Sequence, residues 1–196
     1  MRRLIWGILL LALCAIGGAA MFERLHRNPP LPSLGAVPDF TLTNRDGRTV
    51  RRADLAGKPW LADFVFTRCG ASCPMMSLRL SRLDRELPQE GGLKLVSFTV
   101  DPDYDTPPVL ARYADTFKAS DRWLFLTGPH DALYDLSQKG FKLGVDAAGR
   151  SSDAILHSTR FVLVDRHGQI RRYYDAFDSD SMALLAPDVR TVLAEK

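Results

Sequence analysis

The chain has few cysteines, no internal repeat and no large excess of charge of either sign. Three cysteines among 196 residues exclude a disulfide-rich scaffold, and one of them, Cys14, lies inside an apolar N-terminal run. The net charge is +3 and the basic runs are short, so we expect no nucleic-acid partner. Hydrophobic residues make up 46% and charged residues 25%, close to globular averages, so the chain can bury an ordinary core.

An uncharged apolar run extends from Leu4 to Phe22 and is just long enough to cross a bilayer. Arg2 and Arg3 precede it and favour a cytoplasmic N-terminus. We therefore predict a signal anchor over residues 1–22. It would cross a bacterial-type inner membrane once and hold the rest of the chain in the periplasm, or otherwise outside the cytoplasm.

Two other processing routes compete with the anchor. The small residues Gly18-Ala19-Ala20 are typical of a signal-peptide cleavage site. A lipoprotein attached at Cys14 is disfavoured because the bulky Leu13 stands where such signals carry a small residue.

A proline-rich stretch follows the run, within residues 23–36, and contains Asn28-Pro-Pro-Leu-Pro-Ser-Leu-Gly35. Proline-rich segments are stiff, so we predict a spacer that holds the next segment away from the membrane. Residues 37–196 have the length of one ordinary domain.

Hydrophobic patterning in the remaining chain alternates between short strands and longer helices. We predict strands at 38–43, 48–51, 59–66, 93–100, 123–126, 159–164 and 169–174, and helices at 72–87, 107–117, 130–141 and 181–195. The first two strands form an N-terminal β-hairpin around the turn Asn44-Arg-Asp-Gly47. This order predicts an α/β fold with helices on both faces of one sheet.

The two remaining cysteines lie in Phe66-Thr-Arg-Cys69-Gly-Ala-Ser-Cys73-Pro74, after a buried strand and at the start of a helix. A spacing of four residues brings both side chains to one side of a helix. The partial positive charge of a helix N-terminus favours thiolates, which attack disulfides and bind metals. Cys69 and Cys73 are therefore a candidate redox dithiol or metal-binding pair, with two buried structural cysteines as the alternative.

Several motifs together resemble the Sco/SenC family. They are FVFTRCGASCP, then TVDPDYDTP, then HSTRFVLVDRHG, supported by the opening PDFTLTNRDGRTV and the segment DLAGKPW. The resemblance covers about Pro38 to Leu193. It implies a thioredoxin-like sheet with flanking helices.

The same resemblance implies a metal site. In that family the two cysteines and the histidine of the His-Ser motif bind copper, and here these are Cys69, Cys73 and His157. Thiolates select Cu(I), and imidazole suits copper in either oxidation state, so the cargo would be Cu(I) or Cu(II). Asp105, in the DPDYDTP segment, is implied as an outer-shell or proton-handling group, or alternatively as the N-cap of the following helix. His130 lacks the family pattern and is expected to be solvated or capping.

The resemblance implies a copper chaperone that supports assembly of the CuA centre of cytochrome c oxidase. Its partners would be the oxidase subunit that carries CuA, other copper chaperones and thiol reductants. The alternative is a thiol–disulfide oxidoreductase that acts on a partner's copper-ligand cysteines, so enzymatic activity is left open. A zinc site is a further alternative. A peroxiredoxin-like peroxidase is disfavoured because the proline that normally precedes its Thr-x-Cys motif is absent.

Overall fold

The computed structural model describes residues 30–87, 92–143 and 158–195, together with Trp6 and Gly17. It divides the chain into two units, Met1–Pro30 and Leu31–Lys196. The predicted anchor therefore lies outside the described residues apart from Trp6 and Gly17. Within the described residues, no helix combines the length and the apolar character that crossing a bilayer requires.

The second unit alternates strands and helices over most of its length. The strands are β1 (Gly35–Ala36), β2 (Thr41–Asn44), β3 (Thr49–Arg51), β4 (Trp60–Val65), β5 (Lys94–Thr99), β6 (Trp123–Thr127), β7 (Arg160–Val164) and β8 (Gln169–Asp175). The α-helices are α1 (Ser72–Glu86), α2 (Pro107–Thr116), α3 (His130–Asp135) and α4 (Ser179–Ala194). A 3-10 turn covers Arg52–Leu55, and a π-helical turn, Leu136–Gly140, continues α3.

The described strands form one mixed eight-stranded sheet in the order β1-β8-β7-β4-β5-β6-β2-β3. Its centre is parallel, because β4 pairs with β5 and β5 pairs with β6. Both flanks are antiparallel hairpins, β2–β3 at one edge and β7–β8 towards the other. Strand β7 pairs antiparallel with β4, so it begins at the sheet edge where β4 ends.

Apolar side chains cover both faces of the sheet, as the continuous apolar pattern of its central strands requires. On one face Leu61 and Leu95 pack with residues of α1, α2 and α4, including Met76 and Leu80. On the other face aromatic rings dominate, and Phe64, Phe98 and Phe141 lie in mutual contact. Leu133 of α3 packs on this second face, so the prediction of helices on both faces is confirmed. On the first face α1 is held to the sheet along its buried side.

Most predicted elements are confirmed within a few residues of their expected bounds. The helix predicted at 130–141 is an α-helix only over His130–Asp135. The residues Leu136–Gly140 continue it as a π-helical turn. The helix α1 begins at Ser72, as predicted, and Pro74 is its third residue. The proline-rich stretch contributes to the sheet, because Gly35–Ala36 pairs with β8.

Candidate functional site

The thiol loop, residues 66–71, connects the end of β4 to the start of α1. It lies at the carboxyl edge of the parallel strands, where open α/β sheets place their ligand sites. The neighbouring strand stays in register to the start of this loop, because Val100 N–H donates to the Val65 carbonyl at 2.9 Å. The thiol loop therefore rises from the rigid centre of the sheet.

Cys69 is partly exposed and carries the more acidic of the two thiols. Its sulfur accepts a hydrogen bond from Cys73 N–H at 3.4 Å and lies 3.6 Å from the Ser72 hydroxyl. Burial opposes ionisation, but hydrogen bonds from the backbone of Ala71 and Cys73 and from Ser72 lower the pKa of Cys69 to about 7. The two backbone donors lie at the N-cap and in the first turn of α1, where N–H groups have no partner within the helix, so the helix start stabilises the thiolate.

Cys73 lies deeper, with 4% of its surface exposed, and packs with Val65 and Phe66. Burial raises the pKa of the Cys73 thiol to about 12, and the nearby charges of Cys69 and Asp63 act in the same direction. The two thiols are not bonded to each other here. The pair is therefore asymmetric, with an accessible nucleophilic sulfur and a buried second sulfur.

Asp105 is completely buried and holds the start of the thiol loop. Its carboxylate accepts hydrogen bonds from the backbone N–H and hydroxyl of Thr67, and from the Thr99 hydroxyl at 2.6 Å. It does not cap α2, whose N-cap residue is Thr106. Asp105 therefore ties the loop to the end of β5 at a position two residues before Cys69.

An exposed cluster beside Cys69 was not anticipated from the sequence as a unit. Arg68 donates from Nε and Nη2 to Asp101 Oδ2 at 3.0 and 2.6 Å. Its guanidinium group also lies over the ring of Tyr104, 4.4 Å from the centroid. Asp101 is fixed in turn by its N–H bond to the Thr99 hydroxyl.

A buried carboxyl group beneath the dithiol was also missed. Asp63 has no exposed surface, and its Oδ1 accepts from the Ser97 hydroxyl at 2.6 Å, while Oδ2 has no partner in the described structure. Burial raises the pKa of Asp63 to about 7. By strand alternation Asp63 shares a sheet face with Leu61 and Val65, the face covered by α1. The available signal was a single carboxylate inside an otherwise apolar strand.

His157 lies outside the described residues, so its distance from the thiols is not part of the structure. Among the described residues, no three side chains of histidine, cysteine, aspartate or glutamate are grouped closely enough to hold a metal ion. The structure thus brings Cys69 and Cys73 together and separates Asp105 from them as a buried anchor.

The asymmetric dithiol has two chemical uses. A thiolate at Cys69 attacks disulfides, and Cys73 then supplies the second sulfur that closes an internal disulfide. When both thiols have lost their protons, the two sulfurs can together bind one soft metal ion. Two ligands leave coordination positions open for a third.

Comparison with known proteins shows one consistent family. A sequence model of the SCO1/SenC family matches residues 32–194. The SCO1 protein homolog of Bacillus subtilis (strain 168) is 32% identical over 188 residues, which cover 94% of this chain and 93% of that protein.

Solved structures share the fold. BsSco, described as a member of the Sco family of cytochrome c oxidase assembly proteins with a disulfide switch, has a TM-score of 0.72 and 30% identity, covering 86% of this chain and 100% of that one. Copper-bound ScoI of Arabidopsis thaliana has a TM-score of 0.66 over 81% of this chain and 98% of that one; at 21% identity it supports the fold alone.

Proposed function

Because the chain belongs to the SCO1/SenC family, we propose that it is a copper chaperone that supports assembly of the CuA centre of cytochrome c oxidase. Copper is its cargo and would be held by Cys69, Cys73 and His157. The similarity to BsSco, a cytochrome c oxidase assembly protein, supports the role in assembly. The thiolate of Cys69 supports the choice of metal, because thiolates are soft ligands that select Cu(I).

The observation that carries the proposal is the state of Cys69. Its sulfur accepts from Cys73 N–H at the start of α1, and these helix-start donors lower its pKa to about 7, which favours the thiolate before any metal binds. Thiolate is the form that binds soft metals, so little of the binding free energy is lost in removing its proton. The partial exposure of Cys69 leaves this sulfur accessible to a donor or acceptor protein.

The position of β7 supports His157 as the third ligand. His157 precedes β7 by three residues, and β7 begins at the sheet edge where β4 ends and the thiol loop starts.

The test is a copper titration of the reduced full-length chain and of the variant His157→Ala under anaerobic conditions. We expect a tight one-to-one complex for the natural chain, and copper affinity lowered by at least about tenfold in the variant, because a neutral nitrogen ligand is lost. His130→Ala is the matched control, since His130 is exposed on α3. Equal copper affinity in His157→Ala and the natural chain would refute the ligand assignment.

The second candidate function is reduction of a partner's copper-ligand cysteines. The low pKa of Cys69 beside the buried Cys73 favours it, because this is the arrangement of an attacking and a resolving thiol. The histidine separates the two functions: His157→Ala should leave disulfide reduction largely intact while copper binding falls. Loss of both activities together in that variant would contradict the separation.

Zinc is a rival cargo, because two cysteines and a histidine also suit Zn²⁺. Titrating the reduced chain with copper and zinc present together would show which ion occupies the site. We also propose that residues 1–22 anchor the chain once in a bacterial-type inner membrane. The part of residues 23–36 that precedes the sheet pairing at Gly35–Ala36 would act as a spacer. The domain would then work outside the cytoplasm, where its partners are the CuA-bearing subunit, other copper chaperones and thiol reductants.

A further inference from the structure

The chain enters the domain at the sheet edge opposite the thiol loop. We call this the amino edge, because β4, β5 and β6 begin there. Strand β7 runs antiparallel to β4, so the turn between β7 and β8 lies beside the start of β4. Arg171, near the start of β8, pairs with Asp165 in this turn. Its Nε also donates to the carbonyls of Leu31 and Pro32 at 3.2 and 3.1 Å, which fixes the first residues of the domain at the amino edge.

The link between the proposed anchor and the domain is short. Residues 23–30 separate the two, and eight residues reach at most about 29 Å when fully extended. A domain of the length of Leu31–Lys196 is about 40 Å across. A link that starts at the amino edge therefore cannot bring the opposite edge, with the thiol loop, down to a bilayer.

Basic side chains collect at the starts of the central strands. Lys94 is the first residue of β5, and its N–H donates to the Pro59 carbonyl at 3.0 Å, while Lys58 stands two residues before β4. Burial lowers the pKa of the Lys94 ammonium group, and the charges of Lys58 and Arg122 lower it further. The charge of Asp121 acts in the opposite direction. These cations repel one another, so an anion bound beside them would relieve the repulsion.

Three helices end at the same edge. The last turn of α1 reaches the start of β6, because Asp84 pairs with Arg122, the residue before that strand. Asp84 also accepts from Ser120 N–H at 3.1 Å, which holds the loop after α2 there. Helix α4 ends beside the turn between β7 and β8, where Arg166 Nη2 donates to the Leu193 carbonyl at 3.3 Å.

Positive charge is in excess at the amino edge. Among the described residues, its cations with at least partial exposure include Lys58, Lys94, Arg85, Lys118, Arg166 and Arg190. Its exposed carboxylates are fewer, namely Glu86, Asp115 and Asp121. The carboxylate of Glu195 is paired with Arg171. The nearby β2–β3 hairpin adds little, because Arg48 pairs with Asp46 and Arg52 pairs with Asp39.

The edge that carries the thiol loop has the opposite charge. In the described part of the chain its carboxylates include Asp101, Asp103, Asp131, Asp175, Asp178 and Asp180. The cations near it are Arg68, which pairs with Asp101, Arg79, which lies over the ring of Phe177, and Arg160. The domain is therefore polarised along its strands, positive where the chain enters and negative at the thiol loop. An anionic bilayer attracts the first edge and repels the second.

We propose that the amino edge is the membrane-facing surface of the domain, that its cations bind the phosphate groups of anionic phospholipids, and that the thiol loop consequently points away from the bilayer. This inference rests on the proposed function only through the anchor at residues 1–22. Phospholipid is the occupant that the chain favours, because the short link keeps this positive edge close to the headgroups.

The test uses the reduced full-length chain in nanodiscs of phosphatidylcholine, with and without phosphatidylglycerol. In each sample an uncharged acylating reagent labels lysines, an uncharged alkylating reagent labels Cys69, and mass spectrometric mapping gives the rate at each residue. We expect Lys58 and Lys118 to react at least about threefold more slowly in the anionic discs, and to recover at high salt. Cys69 should react equally fast in both kinds of disc, because the thiol loop lies at the far edge.

Charge reversal tests the surface directly. Lys58→Glu should raise the labelling rate of Lys118 in anionic discs by about twofold or more, because it weakens attraction to the headgroups. The matched control is Arg160→Glu, which makes the same change of charge at an exposed position of the thiol edge. This control should leave the protection of Lys118 unchanged.

Three outcomes would overturn the proposal. They are equal lysine labelling in both kinds of disc, slower labelling of Cys69 in anionic discs, and protection of Lys118 that Lys58→Glu leaves intact. Protection that appears only when an acidic soluble protein is added would assign the amino edge to that class of partner instead. A chain that washes out of the discs would refute the anchor as well. The copper titration does not depend on the lipid, so copper binding and this inference fail separately.

Discussion

Replacing Asp63 by asparagine should stabilise the folded chain at neutral pH and flatten the dependence of its stability on pH. Burial raises the pKa of the folded carboxyl group from 3.8 to about 7, whereas the unfolded chain ionises near the ordinary value. Between these values the folded state binds one proton more than the unfolded state. The free energy of unfolding of the natural chain therefore falls as pH rises through this window.

The magnitude follows from the width of the window. One pKa unit corresponds to about 1.4 kcal/mol, so a shift of roughly three units lowers the stability of the natural chain by about 4 kcal/mol between acidic and neutral pH. The amide of asparagine keeps an oxygen that can accept from Ser97 and does not ionise. The advantage of Asp63→Asn should be small near the acidic end and approach about 4 kcal/mol at and above neutral pH.

Denaturant unfolding of both proteins at several pH values measures this difference. Asp84→Asn is the control, because Asp84 is also buried but pairs with Arg122, and its neutralisation leaves a buried cation without that charge partner. That variant should be less stable than the natural chain at neutral pH, the opposite direction. A constant difference between Asp63→Asn and the natural chain across the whole pH range would refute the reasoning.

Three further predictions concern the thiols, the buried Asp105 and the buried Arg171. Alkylation of the reduced chain should occur at Cys69, with a rate that rises through about pH 7 as its thiolate forms, while the buried Cys73 reacts slowly. Mass spectrometric mapping of the label measures this, and preferential labelling of Cys73 would contradict it. Asp105→Ala should lower the free energy of unfolding by about 2–4 kcal/mol, since it leaves Thr67 and Thr99 without their acceptor, and an unchanged melting curve would exclude the anchoring role. Arg171→Ala should cost about 3–5 kcal/mol in thermal or denaturant unfolding, because its buried guanidinium pairs with two carboxylates, and a loss below about 1 kcal/mol would show that the pairs are not coupled to folding.

Local patterns along the chain were sufficient to predict most of the secondary structure. The apolar run at Trp60–Val65 is a buried central strand, and the prolines at 107 and 108 begin α2, as expected. These predictions depend on residues close in sequence, such as side-chain alternation in a strand or proline in the first turn of a helix. The π-helical turn at Leu136–Gly140 was not predicted, because an extra residue per turn leaves no distinct sequence pattern.

The residues of the candidate site also fall into two groups, those that local sequence features predict and those that they do not. Cys69 and Cys73 could be recognised because their spacing, the preceding strand and the following helix are all local features. The roles of Asp105 and Asp63 could not, since each depends on a partner more than thirty residues away in sequence: Thr67 for Asp105 and Ser97 for Asp63. The sequence also left open whether Asp105 capped α2 or supported the site.

The sequence by itself determined that a thiol pair would stand at the junction of a buried strand and a helix, because chain connectivity and side-chain periodicity act over a few residues. Only the tertiary structure decided that the two thiols differ in acidity. Burial by Val65 and Phe66 disfavours the Cys73 thiolate, while N–H groups of the helix start stabilise the Cys69 thiolate. Burial and hydrogen bonding depend on where distant segments pack, and that packing exists only in the folded chain.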